Sequence, residues 1–246
     1  FFIVEKETLL REKAEKDGFK AYNDIEQILN NSDVQNIDII FLAVKPQQMI
    51  ETVKQFHMLD FEKTLFISIA AGLSFSWFKN KIDKNLKIVR AMPNLPASVG
   101  KGVTGYCNSD NLSLNEEEDT SVLLNSFGKA VYLDSEDLID VVTAISGSGP
   151  AYIFYLVEVL SEIGKNEGLS EESAKILALE TLIGSAKLLE TSKNDPKALR
   201  KNVTSPGGTT EAGLKILASK KTGLFDLLSS TINNAKQRAI YLNSSN

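Results

Sequence analysis

The sequence predicts two halves, an α/β half built on a doubly wound parallel sheet and an all-α half that follows it. Three continuous apolar runs are typical of strands buried on both faces: IDIIFLAV at 37–44, TLFISIA at 64–70 and LKIVRAM at 86–92. Helical segments separate these runs, and this alternation predicts crossover units and a parallel sheet. Strand signals end after KAVYLD at 129–134, so we expect domains at 1–134 and 135–246.

The other elements of the first half follow ordinary start and stop signals. The opening FFIV is predicted to be a strand, and the charged segment from Glu7 to Asp17 a helix that ends before Gly18. Further helices are expected from Asp24 to Leu29 and over about 49–56 and 74–81.

The second half carries only helix signals. Helices are predicted at 151–168, after the N-cap Ser170, from Asp195–Pro196, over EAGLKILASKK from Glu211 and at 224–242. The first of these helices has apolar residues on more than one stripe, at Ile153, Phe154, Leu156, Val157 and Leu160. This pattern predicts burial on several sides, either in an ordinary core or in a subunit interface.

Composition argues against several classes of function. The 246 residues carry a net charge of −5, which disfavours a broad nucleic-acid face. No apolar run approaches the roughly 18 residues of a membrane span, so we expect no membrane partner. The one cysteine, Cys107, rules out an internal disulfide and fits a reducing compartment, so we expect a cytoplasmic protein. One cysteine and one histidine exclude a zinc site built from these residue types, and His57 is predicted to be exposed or half-buried.

The glycine pattern of a dinucleotide site is not found at a first strand. GKGVTG, residues 100–105, matches the spacing, but YCNSDN follows it as a turn-like tract rather than a helix, so we reject it as a phosphate cradle. We therefore expect the usual first strand, glycine loop and first helix, roughly 25 to 30 residues, to precede Phe1. Glu5 would then end the second strand, where an acid meets the ribose hydroxyls of NAD; a plain surface charge fits equally well.

Three successive strands end in small or rigid residues. AVKPQ at 43–47, AAG at 70–72 and AMPNLPASVG at 91–100 follow the three apolar runs. Ligands of open α/β sheets bind outside the carboxyl ends of the strands. These endings together predict a ligand crevice at that edge.

The stretch VTSPGGTTEAG, residues 203–213, predicts an anion site. Ser205, Gly207, Gly208, Thr209 and Thr210 surround the start of a helix, where unpaired N–H groups attract anions. Glycines let the backbone point N–H groups at one spot, and the hydroxyls add donors that a small carboxylate can accept.

These residues, in this order, resemble the pyrroline-5-carboxylate reductase family. FLAVKPQ, RAMPNLPASVGKGVTGY, AISGSGPAYIFYLVEVL and VTSPGGTTEAGL carry the resemblance, which extends over essentially the whole chain. It implies a Rossmann-like domain, a helical domain that dimerises, and reduction of the cyclic imine 1-pyrroline-5-carboxylate to proline with NADPH or NADH. It also implies a homodimer or higher homo-oligomer through the helical domain.

The resemblance also implies site residues. The cofactor would meet Asn23, Ala43, Val44, Lys45, Pro46, Asn94 and Asn202. The substrate carboxylate would be held by Ser205, Gly207, Gly208 and Thr209, and Thr210 would hydrogen-bond the ring nitrogen as the catalytic residue. The family's glycine fingerprint has no match in this chain.

The residue types agree with this chemistry, because hydride reduction of a protonated imine requires no nucleophile or metal from the protein. Two other functions stay open from the residues. A dehydrogenase of small β-hydroxy acids would use a lysine of the helical half, such as Lys165, Lys175 or Lys187. A relative without cofactor binding would serve as an oligomeric interaction protein.

Overall fold

The computed structural model describes residues 1–30, 37–56, 59, 61 and 63–244, so His57 lies outside the described residues. The chain divides into two compact units. An α/β unit holds residues 1–143 together with the segment that begins at Arg238, and a helical unit holds residues 144–237. The boundary at residue 134 between a cofactor-binding and a substrate-binding domain stays a prediction.

Within the described residues, seven strands form the sheets of the α/β unit. They are β1 (Phe2–Val4), β2 (Lys20–Tyr22), β3 (Ile39–Leu42), β4 (Leu65–Ser68), β5 (Lys87–Met92), β6 (Gly102–Asn108) and β7 (Gly128–Tyr132). The predicted strands at the opening run, at the three apolar runs and at 129–134 are confirmed. Strand β6 was not predicted, and Tyr106 to Asn108, interpreted above as a turn, belong to it.

The sheet topology is mixed rather than wholly parallel. Strands β3 to β7 form one sheet in sequence order, and β1 pairs in parallel with β2 in a separate small sheet. Pairs β3–β4, β4–β5 and β6–β7 are parallel, but β5 and β6 run antiparallel. Only the short segment Pro93–Lys101 joins β5 to β6, and a link of this length reverses the chain instead of crossing over the sheet.

In the described part of the α/β unit there are six helices, and the end of α11 also belongs to this unit. They are α1 (Thr8–Lys16), α2 (Glu26–Leu29), α3 (Pro46–Val53), α4 (Phe75–Lys81), α5 (Leu114–Asn125) and α6 (Leu138–Val142). Helix α5 was not predicted, although Ser113 and Glu116 form a complete capping box at its start. Short 3₁₀ turns follow α3 and β5.

Alternate side chains of the central strands enter two separate apolar cores. Phe66 of β4 and Ile88 of β5 join a core with Met49 of α3 and Phe78 of α4. Leu65, Ile67 and Val89 join the second core with Leu124 of α5. The large sheet is therefore covered on both faces, as the predicted doubly wound class requires.

The helical unit begins with a long hairpin. Its helices are α7 (Gly149–Asn166), α8 (Glu171–Thr191), α9 (Pro196–Asn202), α10 (Thr209–Leu217) and the first part of α11 (Leu224–Ser244). A Cβ placed on Gly164 of α7 would lie 3.2 Å from the Cβ of Ala174 of α8, so small residues let the two helices approach closely. Among the described residues, no helix is both long and apolar enough to cross a membrane.

Candidate active site

The loop before α10 is shaped by Pro206 and two glycines. The N–H of Gly208 donates to the carbonyl of Ser205 at 3.0 Å, and Gly207 has a φ of 72°. Proline in the second position and a left-handed glycine in the third are typical of a type II turn. This turn delivers the chain to Gly208, the extended residue that caps α10.

The first turn of α10 presents free donors. Within the described part of the chain, no group accepts a hydrogen bond from the N–H of Thr209 or Thr210, and no side chain caps the helix. Thr209 and Thr210 are exposed, so their hydroxyls are accessible too. This is the donor set that attracts a carboxylate at a helix start.

Glu211 already places a carboxylate on this loop. Its Oε2 accepts from the N–H of Gly207 at 2.9 Å and lies 3.7 Å from the Nζ of Lys215. The N–H groups of Gly207 and Gly208 are thus both used within the loop. In this structure the glycines shape the site, and the threonines supply the unused donors.

The hydroxyl of Ser205 lies close to the backbone of Gly208. A Cβ added to Gly208 would sit 2.5 Å from the Oγ of Ser205, so only glycine fits at position 208 without movement. Ser205 is exposed, as is Asn202 at the end of α9. The loop residues and Asn202 all belong to the helical unit.

The predicted nicotinamide-side residues follow β3 in the α/β unit. Ala43 and Lys45 are exposed, and Val44 packs against the first core. Lys45 is the extended N-cap of α3, and Pro46 is the first residue of that helix. The small side chain of Ala43, the cation of Lys45 and the start of α3 are groups that suit a phosphorylated dinucleotide.

The endings of β4 and β5 lie at the same edge of the sheet as Lys45, because β3, β4 and β5 are parallel and in register. Asn94 follows β5 and caps the 3₁₀ turn Leu95–Val99. Its Oδ1 accepts from the N–H of Val103 at 3.0 Å, which ties the turn to β6. Asn94 therefore also has a structural role that the sequence analysis did not anticipate.

The predicted ribose-side residues lie after the small sheet. Asn23 follows β2 and is exposed, and its N–H donates to Gln27 at 3.2 Å. Glu5 follows β1, and its carboxylate accepts from the N–H of Glu7 at 2.9 Å at the start of α1. In this structure Glu5 therefore stabilises the turn between β1 and α1.

The GKGVTG segment packs tightly and does not precede a helix. A Cβ on Gly102 would lie 2.8 Å from Ala97, and one on Gly105 would lie 2.8 Å from Val142. These glycines permit β6 to pack against its neighbours, in agreement with the rejection of this segment as a phosphate cradle.

The three lysines considered for a β-hydroxy acid dehydrogenase are exposed and paired with glutamates. Lys175 bonds Glu171 at 2.6 Å, Lys165 lies 3.7 Å from the same residue, and Lys187 bonds Glu190 at 2.7 Å. A catalytic lysine amine is usually buried away from water, which shifts its pKa, and an exposed lysine paired with a glutamate lacks this environment.

The buried Arg90 was not singled out by the sequence analysis, although a cation in the middle of an apolar strand is a visible signal. Its guanidinium bonds the Oε1 of Glu136 at 2.6 Å, and the same oxygen accepts from the N–H of Phe75.

Burial raises the pKa of the neighbouring Cys107 to about 12, so this thiol is neutral and a poor nucleophile. In the described part of the chain, no cluster of His, Cys, Asp and Glu could hold a metal ion.

Two family models match the sequence. The model described as pyrroline-5-carboxylate reductase dimerisation matches residues 136–242. The model described as NADP oxidoreductase, coenzyme F420-dependent, matches residues 6–72. The first match supports a homo-oligomer.

Similar proteins cover most of the chain. Pyrroline-5-carboxylate reductase of Pseudomonas aeruginosa is 36% identical over 219 residues, which span 89% of this chain and 80% of that protein. The enzyme of the same name from Aquifex aeolicus is 37% identical over 237 residues, 96% of this chain and 85% of that protein.

Solved structures agree in fold as well as sequence. The pyrroline-5-carboxylate reductase of Coxiella burnetii superposes with a TM-score of 0.88 at 34% identity, over 98% of this chain and 87% of that one. A Plasmodium falciparum pyrroline carboxylate reductase with NADP bound gives a TM-score of 0.77 at 29% identity, over 92% and 82% of the two chains. The chain described here belongs to the pyrroline-5-carboxylate reductase family.

Proposed function

We propose that this chain reduces 1-pyrroline-5-carboxylate to L-proline, the last step of proline biosynthesis, with the loop 205–210 as its substrate site. It is an NAD(P)H-dependent oxidoreductase by family membership. The observation that carries the site assignment is the start of α10, where Thr209 and Thr210 offer N–H groups that no described residue accepts.

The substrate carboxylate fits this donor set. A helix start concentrates partial positive charge, and hydrogen bonds from N–H groups to a carboxylate are stronger than neutral ones. The bond from Gly207 to the carboxylate of Glu211 illustrates that the loop geometry suits this type of acceptor. The hydroxyl of Ser205 adds a donor on the other side of Gly208.

Thr210 is proposed to act on the ring nitrogen. Its exposed hydroxyl belongs to the same first turn of α10 as the N–H donors of the carboxylate site, and the ring nitrogen is bonded to the carbon that bears the carboxylate. When bound, NAD(P)H supplies a hydride to the imine carbon. As the π electrons of the C=N bond move to nitrogen, the Thr210 hydroxyl holds the proton there by a hydrogen bond. The carboxylate site holds the ring in one orientation for this transfer, which is a major source of rate.

In the α/β unit, the cofactor is proposed to contact Ala43 to Pro46 together with Asn23 and Asn94, and Asn202 of the helical unit stays a predicted cofactor residue. The exposed Ala43 leaves space beside the backbone, and the cation of Lys45 stands at the start of α3. These groups suit the ribose and phosphate portions of a dinucleotide. We also propose a cytoplasmic location, because the single cysteine suits a reducing compartment.

The homo-oligomer is proposed to form through α7 and α8. Phe154 is 58% exposed, and other large apolar side chains of the two helices are also exposed in the single chain: Ile153, Leu156, Leu160, Ile176, Leu177 and Ile183. These residues are therefore not part of an ordinary core within one chain, which was the first interpretation of their pattern. A subunit interface is the second interpretation. An exposed apolar surface of this extent indicates a protein interface.

The test is a cofactor-oxidation assay with pyrroline-5-carboxylate, run with NADH and NADPH. Ser205→Ala should raise KM for the imine acid roughly 10-fold or more, since a hydrogen bond to a charged group is lost. Thr210→Ala should lower kcat by about 10²-fold, the usual loss when a side chain that assists proton transfer is removed. Thr210→Ser keeps the hydroxyl and should retain most of the rate.

Thr191→Ala is the matched control, because its hydroxyl only donates to the carbonyl of Lys187 in α8. Its kinetics should match those of the parent chain. If Ser205→Ala and Thr210→Ala behave like this control while the parent is active, the site assignment is wrong. A folded chain that carries the glycine fingerprint and still shows no activity with either cofactor would contradict the function itself.

A further inference from the structure

The last residues of α11 pack directly on the end of β4. Gly72 follows β4 with a φ of 76° and is buried. A Cβ placed there would lie 3.3 Å from the backbone and the Cβ of Leu242. Ala239, one turn earlier in the helix, is also buried. Residues 238–244 are thus an integral layer of the α/β unit.

One side-chain hydrogen bond joins this layer to α6. The Nδ2 of Asn243 donates to the Oδ1 of Asp140 at 2.7 Å, in a partly buried setting. The other end of the same amide, Oδ1 of Asn243, is buried and has no hydrogen-bond partner among the described residues. A buried acceptor without a donor is unfavourable, and it calls for an explanation.

Asp140 can supply the missing donor only when it is protonated. A carboxylate is acceptor-only, whereas a carboxylic acid carries one O–H donor beside its carbonyl oxygen. Burial raises the pKa of Asp140, although the amide of Asn243 and the charge of Arg90 act in the opposite direction. Two features, the orphaned amide oxygen and the partly buried carboxyl, favour the same protonated state.

The charges around Asp140 add to this preference. The charges of Asp137 and Glu136, three and four positions earlier in the chain, disfavour its ionised form. Arg90 approaches from β5 but is engaged by Glu136 at 2.6 Å. On α11, the guanidinium of Arg238 lies 5.1 Å from the ring centroid of Tyr241.

We propose that Asp140 and Asn243 form a pH-sensitive clasp that holds residues 238–244 onto the α/β unit. A proton taken from solvent by the Oδ2 of Asp140 donates to the Oδ1 of Asn243, while the existing bond from Nδ2 to Oδ1 of Asp140 is kept. The protonated pair has two hydrogen bonds and no orphaned acceptor. The ionised pair has one bond, a partly buried charge and an orphaned acceptor, and it holds the helix end less tightly.

The direction of the pH dependence follows from the raised pKa. The added stability is complete below the ordinary carboxyl pKa of 3.8 and is lost as pH rises through the raised value in the folded protein. Acidification within the folded range should therefore protect the helix end.

Hydrogen exchange read by mass spectrometry on the whole chain, from about pH 4 to about pH 8, tests the clasp. After correction for intrinsic rates, protection of amides 238–244 should fall between the ordinary carboxyl pKa of 3.8 and the raised pKa of Asp140, by at most about tenfold per pH unit, the limit for one proton, and should level off above the raised pKa. Strand β5, residues 87–92, is the internal reference and should not follow this profile.

Two variants separate the clasp from ordinary packing. Asp140→Asn can donate to the Oδ1 of Asn243 at every pH, so protection should stay high and flat. Asn243→Leu removes both bonds, so protection should be low and flat. Asp110→Asn, the same charge change at an exposed turn, should retain the parent profile. A flat profile in the parent, or a parent-like profile in Asp140→Asn or Asn243→Leu, would overturn the proposal.

Discussion

At the scale of single residues, the chemistry of the substrate loop is local. Pro206 sets one backbone angle of the turn, and Gly207 takes a φ of 72° that other residues rarely adopt. The N–H of Thr209 and Thr210 are left unused because they begin a helix. Each of these features depends on the residue type and its immediate neighbours, which is why the loop could be predicted as an anion site from its sequence.

The loop geometry predicts that alanine substitutions at Gly208 and Gly213 have different effects on substrate binding. Gly208→Ala would place a methyl group 2.5 Å from the Oγ of Ser205, whereas a methyl on Gly213 of α10 meets no atom within 4 Å. Gly208→Ala should displace Ser205 and raise KM for pyrroline-5-carboxylate by roughly tenfold, the loss of about one hydrogen bond. Steady-state kinetics on both variants checks this.

Gly213→Ala is the control and should leave KM unchanged, with equal or slightly higher thermal stability because alanine favours helix. Equal KM values in the two variants would show that Ser205 does not need its present position.

At the scale of secondary-structure elements, one ion pair joins three of them. Arg90 of β5 is 5% exposed and bonds Glu136, which precedes α6 and also accepts from the first N–H of α4. The same carboxylate thus satisfies a buried cation and a helix start. Pairing of this kind links elements that are distant in sequence, because the partners are 46 and 61 positions apart.

Removing Glu136 should be costly for folding. Glu136→Ala leaves the buried guanidinium of Arg90 without its carboxylate, and we expect a loss of about 3 kcal/mol in the free energy of unfolding. Urea unfolding followed by circular dichroism measures this loss. Glu118→Ala, at an exposed position of α5, should change stability by less than about 0.5 kcal/mol. A loss in Glu136→Ala no larger than that of the control would mean that water replaces the carboxylate.

At the scale of the whole molecule, the helical unit exposes large apolar side chains on both α7 and α8. Large apolar side chains of α11 are exposed as well, among them Phe225 at 80%. The dimerisation model matches this region, residues 136–242. Assembly of copies of the chain would remove this surface from water, which is the main driving force of association.

A charge on this surface should weaken assembly without unfolding the chain. Phe154→Glu places a carboxylate where the proposed interface is apolar, and we expect the dimer dissociation constant to rise roughly 30-fold or more, about 2 kcal/mol. Analytical ultracentrifugation over a concentration series measures it. Val122→Glu, at an exposed apolar position of α5 in the other unit, is the control and should leave the oligomer intact. An unchanged constant in Phe154→Glu would place the interface elsewhere.

Not every element could be predicted from local pattern. Strands β3, β4 and β5 were predicted because each is a continuous apolar run covered on both faces. Strand β6 was missed because GVTGYCN contains two glycines and polar residues, whose strand conformation depends on its pairing with β5 and β7. The antiparallel direction of β6 likewise depends on the short connection that precedes it.

The sequence by itself determined the two-unit α/β and helical organisation, the family and the loop 203–213, because periodicity, capping and turn residues act over a few neighbouring positions. Tertiary structure alone decided which side chains meet across long separations. Asn94 bonds β6, Glu136 holds Arg90, and Asn243 reaches Asp140 over 103 residues. Such contacts form only when the packed sheet and helices exclude water and bring distant polar groups together, and no local pattern encodes which partner each group finds.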